Sequence, residues 1–208
     1  MKPAVVLLSG GLDSATVLAM AVQESSSALA LSFRYGQRHG VELACAAQQA
    51  ARWGVGHRII DIPQIAASAL TDGAAQASSD IPATYVPARN TLFLAFALSI
   101  AEPLGADIWI GVNAVDYSGY PDCRPEFVRA FQVLADLATR AGVEGHGPQV
   151  RAPLLHLTKE AIIRLGLSLG VDYDATSSCY FPVGSEACGQ CDSCRIRLAA
   201  FAAVASGA

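Results

Sequence analysis

The 208-residue chain lacks the two common glycine-rich nucleotide-binding strings, since neither G-x-x-x-x-G-K-[ST] nor G-x-G-x-x-G occurs in it. Their absence excludes a Walker-type P-loop and a Rossmann dinucleotide fingerprint. The chain also lacks an uncharged apolar run that could cross a bilayer, because the longest one covers only residues 91–101. No apolar export signal with a cleavage site follows Met1. We therefore expect a cytoplasmic protein that has no membrane partner.

Positive charge is scarce. The formal net charge is −4, and twelve arginines stand against two lysines, Lys2 and Lys159. Proteins that bind nucleic acid through its phosphates usually present a dense basic face, and no basic cluster occurs in this sequence. The composition therefore predicts small-molecule substrates and no nucleic-acid partner, and it makes Lys159 conspicuous.

A glycine-rich string, S-G-G-L-D-S, occupies residues 9–14 and directly follows the apolar run 4–8. Such a run bounded by glycine is typical of a buried strand, and residues 14–23 have a helical pattern. A loop at a helix N-terminus presents free N–H groups and the positive end of the helix dipole to phosphate oxygens, and glycines let the backbone approach a ligand. The string therefore predicts a site for a nucleotide pyrophosphate, in preference to a turn without chemical function.

Apolar runs and helical patterns alternate along the chain, which predicts parallel βαβ units. The predicted strands are 4–8, 28–33, 57–61 and 107–112, and the predicted helices are 14–23, 40–53, 88–104, 125–141, 159–169 and 191–204. Residues 65–80 and 142–148 are predicted loops. We expect an α/β fold with a doubly wound, mostly parallel sheet, and ligands beyond the carboxyl ends of its strands.

Four of the six cysteines form the pattern C-x8-C-x2-C-x2-C: Cys179, Cys188, Cys191 and Cys194. Two C-x2-C steps that share Cys191 bring the thiolates close enough to surround one ion. Four thiolates favour one structural Zn²⁺ per chain in a closed site. Disulfides and an iron–sulfur cluster are the alternatives, although a reducing cytoplasm disfavours disulfides. We expect the metal to hold a small C-terminal segment, residues 172–208, on a main domain formed by residues 1–171.

Three further polar strings follow strands or open helices: Y-G-Q-R-H at 35–39, Y-V-P-A-R-N at 85–90 and D-Y-S-G-Y-P-D-C-R-P-E-F at 116–127. Together with the string at 9–14, Thr158-Lys159 and the four cysteines, they resemble the 7-cyano-7-deazaguanine synthases of queuosine biosynthesis. These enzymes belong to the N-type ATP pyrophosphatase superfamily. The resemblance covers residues 5–201. One departure is Ala88, where the family usually has glycine, and we expect from it that the backbone there does not require a positive φ.

The resemblance implies an adenine nucleotide alpha hydrolase-like fold, a homodimer and an ATP-dependent ligase. The implied reaction converts 7-carboxy-7-deazaguanine and ammonia to the nitrile through an adenylated acid and an adenylated amide. Mg²⁺ would accompany ATP. The implied ATP contacts lie in the glycine-rich loop and the start of the next helix: Leu8, Ser9, Gly10, Gly11, Leu12, Asp13, Ser14, Ala15, Thr16, Val17 and Leu18.

The resemblance also implies catalytic roles for Asp13, for Lys159 as the cation over the transferring phosphorus, and for Arg89 at the substrate carboxylate. The N–H edge of a deazaguanine needs acceptors, so the predicted substrate contacts come from the 116–127 string: Asp116, Tyr117, Asp122, Arg124 and Glu126. The alternatives are a cap on the helix near Pro125 for the carboxylates, a solvated lysine, and a structural ion pair for Arg89. His39 is a candidate proton shuttle.

Two other functions are compatible with these motifs. One is another enzyme of the same superfamily, either an amidating synthetase or a tRNA-modifying enzyme, although the latter would be expected to carry a basic extension. The other is a zinc-binding module that senses a nucleotide without turnover. Release of AMP and pyrophosphate that depends on the deazapurine acid and ammonia would exclude such a module.

Overall fold

The computed structural model describes residues 1–37, 40–63, 68–71, 81–113, 119–184 and 186–207. The strands are β1 (Ala4–Leu7), β2 (Ala28–Arg34), β3 (Gly56–Asp61), β4 (Asp107–Trp109) and β5 (Val150–Arg151). The helices are α1 (Leu12–Glu24), α2 (Val41–Arg52), α3 (Arg89–Leu104), α4 (Pro125–Ala138), α5 (Arg140–Val143), α6 (Lys159–Ser168) and α7 (Asp192–Ala205). None of the described helices is both long and apolar enough to span a bilayer.

Most predicted elements are present, with bounds that shift by a few residues. The prediction of one helix over 125–141 is wrong, because Thr139 is extended (φ −117°, ψ 148°) and its side chain accepts the N–H of Gly142 at the start of α5. The predicted fourth strand ends three residues early, at Trp109. The two-residue strand β5 was not predicted, since it is too short to leave a pattern. Of the predicted loop 65–80, only residues 68–71 belong to the described part of the chain.

The five described strands are parallel and lie in the order β3-β2-β1-β4-β5. The central strand β1 is buried on both faces. Val6 and Ala4 pack in a cluster with α1, α6 and α7, whereas Val5 and Leu7 pack in a second cluster with α3 and α4. A parallel strand that is covered on both sides needs an unbroken apolar run, which is what residues 4–8 provide. The predicted doubly wound α/β fold is confirmed.

The sheet has a switch point beside β1, because the chain passes from β1 to β2 on one side and reaches β4 on the other. Loops after the two strands diverge there and leave a crevice beyond the carboxyl ends of the sheet. Gly111, which follows β4, lies against the first turn of α1, next to the loop after β1: a Cβ on Gly111 would come 3.2 Å from backbone atoms of Asp13 and Ser14. The glycine-rich loop therefore occupies the position at which folds of this kind bind ligands.

Ala88, just before α3, adopts the left-handed conformation with φ 54° and ψ 24°. Among the described residues it is the one non-glycine residue with a positive φ. The expectation that alanine removes the need for a positive φ is therefore wrong. Contacts on both sides hold the turn: the Ala88 N–H donates to the Tyr85 hydroxyl at 3.0 Å, and the Asn90 N–H donates to Asp122 Oδ2 at 2.9 Å.

Replacing Ala88 with glycine should raise the free energy of unfolding by about 1 kcal/mol, because glycine has no Cβ to strain this conformation. Urea denaturation measures the change. Ala130 lies exposed in the middle of α4, and the matched change Ala130→Gly should lower stability by about 1 kcal/mol. A loss of stability in both variants would contradict strain at Ala88.

Candidate functional site

The loop between β1 and α1 gathers hydrogen-bond donors around Ser14. The N–H groups of Ser9 and Gly10 each donate to Ser14 Oγ at 3.2 Å, and the Gly11 N–H donates to Ser9 Oγ at 3.3 Å. Gly10 has a φ of 94°, and a Cβ there would collide with the backbone carbonyl of Glu42 in α2. Only glycine therefore lets the loop close against α2. Donors at the start of a helix form an anion-binding arrangement.

Six of the predicted ATP contacts line the cavity above this loop: Leu8, Ser9, Gly11, Leu12, Asp13 and Ser14. The next four, Ala15, Thr16, Val17 and Leu18, are wholly buried in the core. Helix α1 lies between the sheet and helix α6, so only its first turn faces the cavity. Thr16 instead bonds to the Tyr173 hydroxyl at 2.8 Å. The side chains of residues 15–18 thus do not line the cavity, and the ATP contacts predicted for these residues stay predictions.

Lys159 and Asp13 form a nearly buried ion pair, with 2.7 Å between Lys159 Nζ and Asp13 Oδ2. Lys159 opens helix α6, where the Thr158 side chain accepts the Ala161 N–H at 3.3 Å and caps the helix. Burial raises the pKa of Asp13, and the positive charge of Lys159 opposes that rise. The fold therefore brings Lys159, a residue far along the chain, to the start of α1 beside the glycine-rich loop. The solvated-lysine alternative is excluded, because Lys159 is only 9% exposed.

Asp13 keeps one carboxylate oxygen free. Its Oδ1 atom is buried and has no hydrogen-bond partner among the described residues. Carboxylate oxygens are the protein ligands that Mg²⁺ prefers, usually one or two of them together with phosphate oxygens. The site therefore fits the Mg²⁺ that would enter with ATP.

A cavity of about 540 Å³ extends from this loop beyond the carboxyl ends of β1, β2 and β4. Its volume lies within the usual range for small-molecule sites. Its other walls come from the starts of α2, α3 and α6, from residues 177–182 and from α7. The hydrogen-bond donors of the glycine-rich loop and the space beyond the strand ends therefore belong to one continuous cavity.

Arg89 contributes an unpaired cation to this cavity. Its Nη1 atom donates to the Tyr35 hydroxyl at 3.3 Å, and its guanidinium carbon lies 5.8 and 5.9 Å from the ring centres of Tyr35 and Phe93. Its Nε atom is buried without a partner, and no described carboxylate lies within ion-pair distance. A structural ion pair, the alternative for this residue, is not present among the described residues. A buried unpaired cation is costly, so this position suits an anionic ligand.

Glu42 contributes an unpaired carboxylate to the same cavity, and sequence reasoning missed it. It lies in the first turn of α2. Burial raises its pKa to about 7, although Arg89 opposes the rise. Within the described part of the chain the carboxylate has no hydrogen bond and no ion pair. Its single sequence signal is its place just after the Y-G-Q-R-H string.

The described substrate contacts predicted from the string at 116–127 lie away from the cavity lining, and their roles stay predictions. Asp122 is buried and accepts the Asn90 N–H, so it caps α3 and not the helix near Pro125. Glu126 is exposed and lies 2.9 Å from Arg129 in an ion pair. Arg124 is exposed at the start of α4. None of these three predicted residues lines the cavity.

Three predicted site residues, Asp116, Tyr117 and His39, lie outside the described residues. Their roles stay predictions.

The four clustered cysteines lie with their Sγ atoms within 4.8 Å of one another, so they could hold one metal ion. Cys179 and Cys194 are buried. None of the six cysteines forms a disulfide, which removes the disulfide alternative. N–H groups of Gln190 and Cys191 lower the pKa of Cys188 to about 6, which favours the thiolate that a metal requires. The predicted metal-binding cluster is confirmed in its geometry.

The C-terminal segment contacts the glycine-rich loop. The Ser177 N–H donates to the Gly10 carbonyl at 3.0 Å. Arg197 of α7 donates to Thr176 Oγ1 at 2.9 Å and to the Tyr173 carbonyl at 2.7 Å. Sequence reasoning missed Arg197, since it is one of two arginines in α7 and nothing in the sequence distinguishes it from Arg195. The cysteine cluster therefore stands next to the chain segment that contacts the glycine-rich loop.

Comparisons with known proteins agree with this geometry. The chain matches a family described as "Queuosine biosynthesis protein QueC" over residues 3–205. Relatives from Paramagnetospirillum magneticum and Geobacter metallireducens, both named 7-cyano-7-deazaguanine synthase, are 57% and 59% identical to it. These alignments cover 97% of this chain in both cases, and 95% and 89% of the relatives. The enzyme name of these relatives confirms the prediction of an enzyme.

Two solved structures share the fold at low sequence identity. The NMN synthetase from Francisella tularensis has a TM-score of 0.54 at 18% identity, and the match covers 91% of this chain and 69% of that one. The NH3-dependent NAD synthetase from Campylobacter jejuni has a TM-score of 0.50 at 16% identity, with 83% and 66% covered. These two structures support the fold, and the sequence match shows the family. This chain is a member of the QueC family of queuosine biosynthesis proteins.

Proposed function

We propose that this chain is a 7-cyano-7-deazaguanine synthase, which uses ATP to convert 7-carboxy-7-deazaguanine and ammonia to the nitrile. One observation carries the proposal: a single cavity joins the donors of the glycine-rich loop to the unpaired guanidinium of Arg89. A nucleotide pyrophosphate and a small carboxylic acid therefore have complementary groups within one site. The names of the relatives support the identity of the product.

The chemistry explains why a phosphate site and a carboxylate site belong together. A carboxylate is a poor electrophile, so its oxygen first attacks the α-phosphorus of ATP, and the bond to pyrophosphate breaks. Ammonia then attacks the acyl carbon, AMP leaves with the bonding electrons, and a proton is released. The amide oxygen attacks a second ATP in the same way, and loss of AMP and protons leaves the C≡N bond. Each turnover consumes two ATP.

The protein's main contributions are positioning and stabilisation of negative charge at phosphorus. The N–H and O–H donors of residues 9–14 would hold the outer phosphates. Lys159, next to that loop, would face the transferring phosphorus, and Arg89 would form a bidentate pair with the substrate carboxylate. Asp13 Oδ1 would hold Mg²⁺, which neutralises phosphate charge when it is bound.

The remaining parts of the proposal concern assembly. We assign residues 1–171 to the ATP pyrophosphatase domain and residues 172–208 to a segment that one Zn²⁺ stabilises on it. The contact between Ser177 and Gly10 supports this close association. The homodimer implied by the resemblance is also part of the proposal, and the exposed apolar side chains of Leu137 and Val143 offer a surface for it.

Mass analysis of the product tests the function. Purified protein is given the deazapurine acid, ATP, Mg²⁺ and ammonium with the heavy nitrogen isotope. We expect a nitrile that carries the heavy nitrogen, with two AMP and two pyrophosphate per nitrile. Reactions without acid or without ammonium are the controls. An amide as the final product would favour another amidating enzyme, and nucleotide binding without AMP release would favour a sensing module.

A further inference from the structure

The N–H edge of a deazaguanine requires an acceptor in the cavity, and few described carboxylates are available. Those that line the cavity are Asp13, Glu42 and Asp192. Asp13 is paired with Lys159 at the phosphate loop. Asp192 is exposed to solvent beside the cysteine cluster. Glu42 is the remaining candidate.

Glu42 lies where a ligand could contact it together with Arg89. Its backbone carbonyl is against Gly10 of the phosphate loop, while its carboxylate is close enough to Arg89 to interact electrostatically. The rings of Phe33 and Phe93, which stack with centroids 4.1 Å apart and planes within 5°, give the same cavity an apolar wall. The chamber therefore combines a half-buried guanidinium, a half-buried carboxylate and flat aromatic surface.

We propose that Glu42 accepts hydrogen bonds from the N–H groups of the substrate ring and determines the specificity for a guanine-type base. Arg89 and Glu42 together select a planar molecule that has a carboxylate on one side and N–H donors on another. This inference rests on the proposed function and deepens it, because it assigns the residue that reads the base.

The energetic reason is the cost of a partly desolvated carboxylate that lacks a hydrogen-bond donor among the described residues. Donors on the ligand would form charge-assisted hydrogen bonds with the Glu42 carboxylate. A ligand that lacks one of those donors would leave the carboxylate short of a partner in a desolvated site. Sites built around a buried polar group discriminate strongly against analogues that cannot pair with it.

The experiment compares two acids, 7-carboxy-7-deazaguanine and its analogue without the exocyclic amino group. In the wild-type protein we expect kcat/KM to favour the amino compound by about ten- to a hundredfold. This is the discrimination that one charge-assisted hydrogen bond provides. In Glu42→Gln the preference should fall to less than about threefold, because a neutral amide accepts more weakly. The control Glu144→Gln changes an exposed carboxylate in a surface ion pair and should keep the wild-type preference.

Three results would overturn the assignment. Glu42→Gln could retain the wild-type preference, it could weaken binding of a non-hydrolysable ATP analogue, or it could change only the KM for ammonium. Equilibrium binding of the two acids to both proteins repeats the comparison without turnover. If wild-type protein formed no nitrile, the proposed function would fail, while the binding comparison would still decide whether Glu42 reads the amino group.

Discussion

Replacing Lys159 with methionine should lower the rate of AMP and pyrophosphate release on the order of a thousandfold. The ammonium group lies 2.7 Å from Asp13 in a site that is largely closed to water, and charge placed in such a site stabilises a transferring phosphoryl group far more than it would in water. Product release is measured at saturating ATP, acid and ammonium. The chain's one other lysine, Lys2, lies at 3.6 Å from Asp107, away from the cavity, so Lys2→Met is the matched control and should retain activity.

Loss of folding must be separated from loss of catalysis in this variant. Lys159→Met alone leaves Asp13 buried without its cation and should destabilise the fold by about 3 kcal/mol. The double variant Asp13→Asn with Lys159→Met removes both charges, so it should recover most of that stability. It should nevertheless stay inactive. Activity of either variant within about threefold of wild type would contradict the role proposed for Lys159.

Replacing Cys191 with serine should abolish zinc binding by the cysteine cluster and weaken binding of nucleotide at the glycine-rich loop. Cys191 is shared by the two C-x2-C steps and stands at the N-cap of α7, the helix that carries Arg197. Without the metal, we expect the start of α7 to move. Arg197 would then no longer hold residues 173–178 next to Gly10. We expect metal content to fall from one Zn²⁺ per chain to near zero, and the thermal midpoint to fall by more than 10 °C, equivalent to about 3 kcal/mol or more.

The second readout of this variant is nucleotide affinity. Binding of a non-hydrolysable ATP analogue should weaken at least about tenfold, equivalent to the loss of one or two hydrogen bonds to the loop. Cys45 lies outside the cluster, in α2, so Cys45→Ser should keep both the metal and the affinity. Iron with labile sulfide in the wild-type protein would contradict zinc. Unchanged affinity after metal loss would contradict the coupling between the segment and the loop.

Much of the fold could be predicted because its determinants are local. An unbroken apolar run, residues 4–8, predicted the central strand, and the string that follows it predicted the anion-binding loop. Cysteine spacing alone predicted the cluster, because ligands two residues apart reach a common ion wherever the segment lies. Thr158 and Lys159 could be placed at a helix start for the same reason: caps depend on neighbours in sequence.

The other features depend on which segments meet. The local pattern says little about Glu42 or Arg197. Glu42 acquires its place because its backbone packs against Gly10, and Arg197 acquires its place through hydrogen bonds to Tyr173 and Thr176. Asp122 was predicted as a substrate contact or as a cap of the next helix, but in the structure it accepts the N–H of Asn90 in α3. The backbone conformation of Ala88 could not be predicted from the sequence either, because surrounding contacts impose a left-handed conformation that alanine disfavours. The sequence by itself determined most helices and strands, the glycine-rich loop and the cysteine cluster, because short-range sterics and periodic burial specify them. The tertiary structure alone decided which charges stand unpaired in the cavity, because burial and partners are properties of residues distant along the chain.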